Sequence, residues 1–289
     1  MGLFLQFAAP ALAGIFVGVM SGLLGVGGGT IMVPIFRLAF GMSPLASTAT
    51  SLFAIIPTSI SGVASHMRAK TCVPKLGVAL GIGGALTSPV GVWLASISPG
   101  WLVIVVAALV VGLSAYKMFK KALKAPRVAP SCRTAHTADA AATGALADSP
   151  ESAVSNPIPA QPNLTRKHYL QGAGIGLVAG LASGYVGVGG GFIMVPMMLA
   201  ILSIPMSLAA GTSLIAIMIL AIPGVIEQAI LGNINYFAGI SIVVGTIPGA
   251  VIGARLVRVI PERQLRFAFG GFLLVAAVLL MLNEFGILG

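Results

Sequence analysis

Charge is scarce in this chain. Of its 289 residues, 6 are Asp or Glu and 16 are Lys or Arg, so 8% are charged while 57% are hydrophobic. Soluble globular domains carry about a quarter charged residues. The composition therefore excludes an ordinary soluble domain and indicates a polytopic membrane protein. Two cysteines, Cys72 and Cys132, are too few for a disulfide framework or a cysteine metal cluster. No basic groove with interleaved aromatics is present, so the net charge of +10 does not point to nucleic acid. No Lys or Arg precedes Arg37, so the basic n-region of a signal peptide is missing. Residues 8–40 read as mature structure. No Gly-Lys-Ser/Thr loop occurs, and nothing calls for a cofactor or a metal.

What is present is glycine, in one stretch that occurs twice. Ser21-Gly-Leu-Leu-Gly-Val-Gly-Gly-Gly-Thr-Ile-Met-Val-Pro34 returns as Ser183-Gly-Tyr-Val-Gly-Val-Gly-Gly-Gly-Phe-Ile-Met-Val-Pro196, 162 residues later, with 11 of 14 positions identical. The same register pairs Thr50-Ser51-Leu52 with Thr212-Ser213-Leu214 and Pro99 with Pro261. Both copies sit in apolar sequence. A glycine triplet at membrane depth breaks a helix and exposes backbone, which is tolerated where protein or a water-filled cavity surrounds it.

Apolar segments fall at about 8–40, 44–65, 76–95 and 101–117, then at about 168–202, 206–228, 236–256 and 267–285. A span needs roughly 20 residues. The first segment of each set is too long for one untilted pass and too short for two. Residues 118–167 are basic, then rich in Ala, Pro, Ser and Thr, and read as a disordered linker. The expected fold is thus all-α: transmembrane repeat 1 over 1–117, the linker, and transmembrane repeat 2 over 168–289. Loop 66–75 is basic in half one, whereas loop 255–266 is the basic one in half two. The positive-inside rule then predicts inverted-topology repeats, with the linker cytoplasmic and both termini outside. Four full spans per half, giving parallel repeats, is the alternative that charge disfavours. Each broken segment should enter, turn at its glycines and leave on the same side, so that Gly28 and Gly190 lie close together at mid-depth.

Candidate functional residues follow from that geometry. Gly14, Gly18 and Gly22, and Gly172, Gly176, Gly180 and Gly184, recur at small-xxx-small spacing and serve helix packing. Gly27, Gly28 and Gly29, with Gly189, Gly190 and Gly191, precede short helical arms whose first-turn N–H groups suit an anion; a tight turn alone is the plainer role. Ser21, Thr30, Thr50 and Ser51, with Ser183, Thr212 and Ser213, could donate hydrogen bonds to an oxyanion, or bond their own helix carbonyls. Glu227, Arg37 and His66 are the candidates for coupling or gating, with protons as the coupling ion.

The doubled Ser-Gly-x-x-Gly-x-Gly-Gly-Gly…Pro motif resembles that of the TauE/SafE sulfite exporter (TSUP) family. It is carried by Ser21, Gly25, Gly27, Gly28, Gly29 and Pro34, and by Ser183, Gly187, Gly189, Gly190, Gly191 and Pro196. The resemblance covers the chain apart from the linker. It implies a transporter of the cell (inner) membrane, with small sulfur-containing or organic anions as substrates, often exported. The expected function is a secondary transporter working by alternating access around a site between the two breaks. A passive anion channel is the alternative. An intramembrane serine enzyme lacks a base, because His66 and His168 stand at span ends.

Overall fold

The first helix stops where the first glycine cluster starts. The computed structural model describes residues 2–124, 166–186 and 189–284, with α1 over Gly2–Leu24 and α2 over Gly29–Phe40. Gly27 and Gly28 take φ of 80° and 79°. That left-handed region is closed to most side-chain-bearing residues, and no α-helix runs through it. The second half repeats the break: α6 spans Arg166–Val186, α7 spans Gly191–Ile201, and Gly189 and Gly190 have φ of 88° and 70°.

Three long helices complete each half: α3 (Pro44–Arg68), α4 (Pro74–Ile97) and α5 (Gly100–Lys124), then α8 (Met206–Ile230), α9 (Tyr236–Leu256) and α10 (Glu262–Glu284). Among the described residues there are no strands. Among the described residues five helices are long and apolar enough to cross a membrane: α3, α4, α8, α9 and the Trp101–Lys120 part of α5. Punctuation follows the sequence. Ser43 accepts from the Ala46 N–H at 3.3 Å ahead of Pro44, and Asn235 accepts from the Ala238 N–H at 3.2 Å. The expected linker is helical at both its edges. α5 continues to Lys124 because residues 118–124 are good helix formers and Met118 is buried; α6 begins at Arg166. Residues 125–165, the rest of that linker, lie outside the described residues.

Glycine also sets the packing. A Cβ at Gly14, Gly18 or Gly22 of α1 would strike the carbonyls of Ile242, Thr246 or Ala250 of α9. Gly245, Gly249 and Gly253 of α9 face the carbonyls of Ala11, Ile15 and Val19 in return. In the other half Gly176, Gly180 and Gly184 of α6 press on Leu80, Gly84 and Ser88 of α4. Without side chains between them the backbones approach closely, which is what holds helices together where the hydrophobic effect does not.

Residue pairing gives the helix directions. Ser61 donates to the Ile247 carbonyl (2.8 Å) and Ser65 to the Val251 carbonyl (3.5 Å), so α3 runs parallel to α9, as does α1. Gly77, Gly81 and Gly84 lie against Ile215, Ile219 and Leu220, so α4 runs parallel to α8; Gly83 and Gly91 against Ala173 and Leu181 make it parallel to α6. Across the two groups the order reverses: Gly62 meets Leu214 while Gly224 meets Leu52, so α3 and α8 are antiparallel. Helices related by the 162-residue offset therefore run in opposite directions. The same order puts Arg68, Lys70, Lys75, Arg255, Arg258 and Arg266 at one end of the bundle and Arg37 towards the other.

Candidate functional site

The two glycine turns touch, and they do so halfway along the bundle. A Cβ at Gly27 would meet the Ile217 side chain at 3.0 Å and Ile55 at 3.5 Å. A Cβ at Gly189 would meet the same two side chains, at 3.6 Å and 2.9 Å. Ile55 and Ile217 stand near the midpoints of α3 and α8. Gly191 lies so near Gly25 that a Cβ would sit 2.6 Å from the Gly25 oxygen and 2.8 Å from the Val26 Cα. The contact runs through Gly25–Gly27 and Gly189–Gly191. Gly28 and Gly190 instead face back onto their own first arms, Gly28 towards Val17 and Ser21, and Gly190 towards Ala179 and Ser183.

Two helices start at this junction. Gly28 and Gly190 are the N-cap residues of α2 and α7, and neither helix has a side-chain cap. A cap hydroxyl would have satisfied one of the first-turn N–H groups. Backbone bonds begin with Ile31 and Met32 donating to the Gly28 carbonyl, and Ile193 and Met194 to that of Gly190. Each hairpin thus carries the positive end of a helix dipole beside the contact between the turns.

The hydroxyls divide into two groups. Thr212 donates to the Leu208 carbonyl (2.7 Å) and accepts from the Val73 N–H (3.0 Å). Ser213 directs its proton to the carbonyls of Gly25 (2.6 Å) and Ala210 (2.8 Å). Thr50 accepts from the Asn235 N–H at 3.0 Å, and Ser51 donates to the Thr48 carbonyl at 2.8 Å. These four fasten the turns and loops to α3 and α8. Ser21, Thr30 and Ser183 are fully buried and their hydroxyls have no hydrogen-bond partner. Burying an unpartnered hydroxyl costs about 1–3 kcal/mol. All three flank the caps: Ser21 and Ser183 face Gly28 and Gly190, and Thr30 follows Gly29 in the first turn of α2.

Sequence reasoning missed Ser59 and Ser88, whose buried hydroxyls are also without a partner. Ser59 lies one helical turn beyond Ile55, on the part of α3 that faces the junction. Its counterpart in half two is Ala221, so the repeat could not flag it. The only sequence signal is its spacing of four from Ile55.

The ionisable candidates lie away from the turns' contact. His66 is fully buried in the last turn of α3, with Nε2 2.8 Å from the Gly22 carbonyl and Nδ1 2.7 Å from the Thr71 hydroxyl. Glu227 lies in the last turn of α8, with Oε2 buried and unpartnered. Arg37 lies in the last turn of α2, where a cation complements the helix dipole. Cys72 is buried in the α3–α4 connection, and burial pushes its thiol up, away from thiolate chemistry. No group of three or more His, Cys, Asp or Glu is placed to hold a metal among the described residues.

A family model described as "Sulfite exporter TauE/SafE" matches residues 10–280. Three proteins of Bacillus subtilis (strain 168) are similar over nearly their whole length. The probable membrane transporter protein YunE is 25% identical over 261 residues, covering 88% of this chain and 89% of its own. YdhB, of the same description, is 26% identical over 266 residues (92% and 96%), and YjnA is 25% identical over 276 residues (93% and 98%). No solved structure matches.

Proposed function

Because this chain belongs to the sulfite exporter TauE/SafE family and is a multi-pass membrane transporter, we propose that it moves small sulfur-containing or organic anions by alternating access. The reading adds that the protein sits in the cell (inner) membrane and exports its substrate. The observation that carries it is the junction itself. Two uncapped helix starts and three buried, unpartnered hydroxyls flank the contact between the halves, Ser21 and Thr30 beside the Gly28 cap and Ser183 beside the Gly190 cap. An oxyanion would satisfy those donors and complement both dipoles without a fixed counter-charge. Transporters of inverted-repeat design bind at such half-helix starts near the midplane. The opposed directions of offset-related helices support that design here, since exchange of two near-equivalent halves gives two alternative openings. The positive-inside rule orients the bundle with Lys70 and Arg258 cytoplasmic.

Purified protein in liposomes, given sulfite, sulfonates, thiosulfate and acetate with and without a pH gradient, tests the reading. Saturable flux of at least one of these anions is expected. Gly28→Leu and Gly190→Leu, folded as judged by size-exclusion chromatography, should lose most of it. Wild-type rates in both variants would sink the proposed site, and flux that never saturates would indicate a channel.

A further inference from the structure

His66 closes a loop of hydrogen bonds around the end of α1. Its Nε2 lies 2.8 Å from the Gly22 carbonyl, an acceptor only, so Nε2 carries a proton. In the neutral ring Nδ1 is then an acceptor, and the Thr71 hydroxyl donates to it at 2.7 Å. Two residues on, the Val73 N–H donates to Thr212 (3.0 Å), and the neighbouring Ser213 hydroxyl donates to the Gly25 carbonyl (2.6 Å). This latch grips the glycine turn on either side, one residue from Ser21.

Half two carries the α3–α4 part of this latch in amides, at the connection of α8 to α9. The 162-residue offset pairs His66 with Gln228 and Thr71 with Asn233. Asn233 Nδ2 donates to Gln228 Oε1 at 2.8 Å, and the Asn235 N–H donates to Thr50 at 3.0 Å. The flanking backbone bonds, Thr71 N–H to the His66 carbonyl (3.0 Å) and Asn233 N–H to that of Gln228 (3.1 Å), match as well. An amide pair therefore suffices to link the two positions across the connection. What histidine adds is a second protonation state.

We infer that His66 is a proton site of the transporter, and that a proton there and an anion at the adjoining turn bind cooperatively. This rests on the anion-transport reading. Nε2–H stays on Gly22 in both protonation states. Protonation makes Nδ1 a donor, and the Thr71 hydroxyl then accepts from it and turns its own proton to the His66 carbonyl, 3.4 Å away. The ring is fully buried in this conformation, so its proton exchanges with water when the α3–α4 connection moves aside. Proton exchange confined to one conformational state is the requirement for coupling. Around the ring lie Gly22 from α1, Gly211 from α8 with the Cys72 side chain beside it, and the charge of Arg258 after α9; Arg68 and Lys70 follow His66 on its own segment. No carboxylate faces the ring among the described residues, so an anion at the turn is the counter-charge that protonation lacks.

The paired variant His66→Gln with Thr71→Asn copies the latch of half two, and His66→Gln alone is the second variant. Wild-type affinity for the transported anion should rise about tenfold between roughly pH 8 and pH 5. With a sulfonate, whose charge is constant over that range, the paired variant should bind with one affinity throughout. An unchanged pH profile in the variants overturns the assignment. A second measurement stands whether or not an anion has been found. Protein labelled with 15N-histidine has three histidines, and the signal missing in His66→Gln belongs to His66. Its Nδ1 should gain a proton as the pH is lowered to the limit at which the protein stays folded. A ring that stays neutral throughout overturns the inference, whereas titration with no flux of any anion tested would instead count against the anion-transport reading.

Discussion

Ser213 and Ser183 are both fully buried serines beside a glycine turn, yet they are expected to fail differently. The Ser213 hydroxyl is committed to two carbonyls, those of Gly25 and Ala210. Ser213→Ala leaves the Gly25 carbonyl short of a donor and should lower stability by about 1–3 kcal/mol in chemical denaturation. The Ser183 hydroxyl has no partner, so Ser183→Ala should change stability by less than about 1 kcal/mol. Its effect should fall on anion binding instead, weakened about tenfold, or about 1.4 kcal/mol. Equal stability losses in the two variants would count against the division of the hydroxyls. That division was not legible in the sequence. Ser21, Ser51, Ser183 and Ser213 are all serines in apolar surroundings, and what separates them is which carbonyl lies within reach once distant helices pack. The ties of His66 were hidden for the same reason, since Gly22 is 44 residues away.

Helices, in contrast, were largely written in the chain. The breaks at the two glycine triplets were visible because glycine readily adopts the φ that Gly27, Gly28, Gly189 and Gly190 take and because the triplet occurs twice. The small-xxx-small rows were visible as packing faces, but not which helix each would meet. That depends on the pairing of α1 with α9 and α6 with α4. Two glycines of α6 give the test. A Cβ at Gly180 would run into the Gly84 backbone, whereas at Gly174 nothing lies within 4 Å. Gly180→Ala should therefore cost about 1–3 kcal/mol through overpacking, more if α4 cannot shift. Gly174→Ala should gain up to about 1 kcal/mol from helix propensity. Thermal unfolding in detergent reads both. A neutral Gly180→Ala would mean that α4 and α6 are less closely packed than described.

At the scale of the molecule, the directions of the helices predict the accessibility of their connections. Lys70, after α3, and Arg258, after α9, share one end; Ser98, after α4, and Gly232, after α8, share the other. Single cysteines at the four positions, on a background with Cys72 and Cys132 replaced, should fall into two pairs when whole cells are treated with an impermeant maleimide. Labelling is expected at 98 and 232 and protection at 70 and 258. The reverse labelling would overturn the orientation, and labelling of 70 together with 232 would overturn the bundle order. Charge made this order readable: basic residues lie after the third helix of one half (α3) and after the fourth of the other (α9). Glycine and hydroxyl content carried no such sign.

The cross-half pairing of α1 with α9 has a consequence for synthesis. The Gly14–Gly18–Gly22 row leaves the ribosome more than 200 residues before the row at Gly245–Gly253 that closes on it. For most of translation the first helix has no mate, and neither half can complete its own interior. Each half on its own should be retained by the insertion machinery or degraded. Expressed together as two polypeptides, 1–124 and 166–289, they should find each other and restore the bundle, as two subunits of a heterodimer would. The chain behaves in this respect as a fused pair whose members never became independent domains, and duplication of a self-associating ancestor is the simplest route to it.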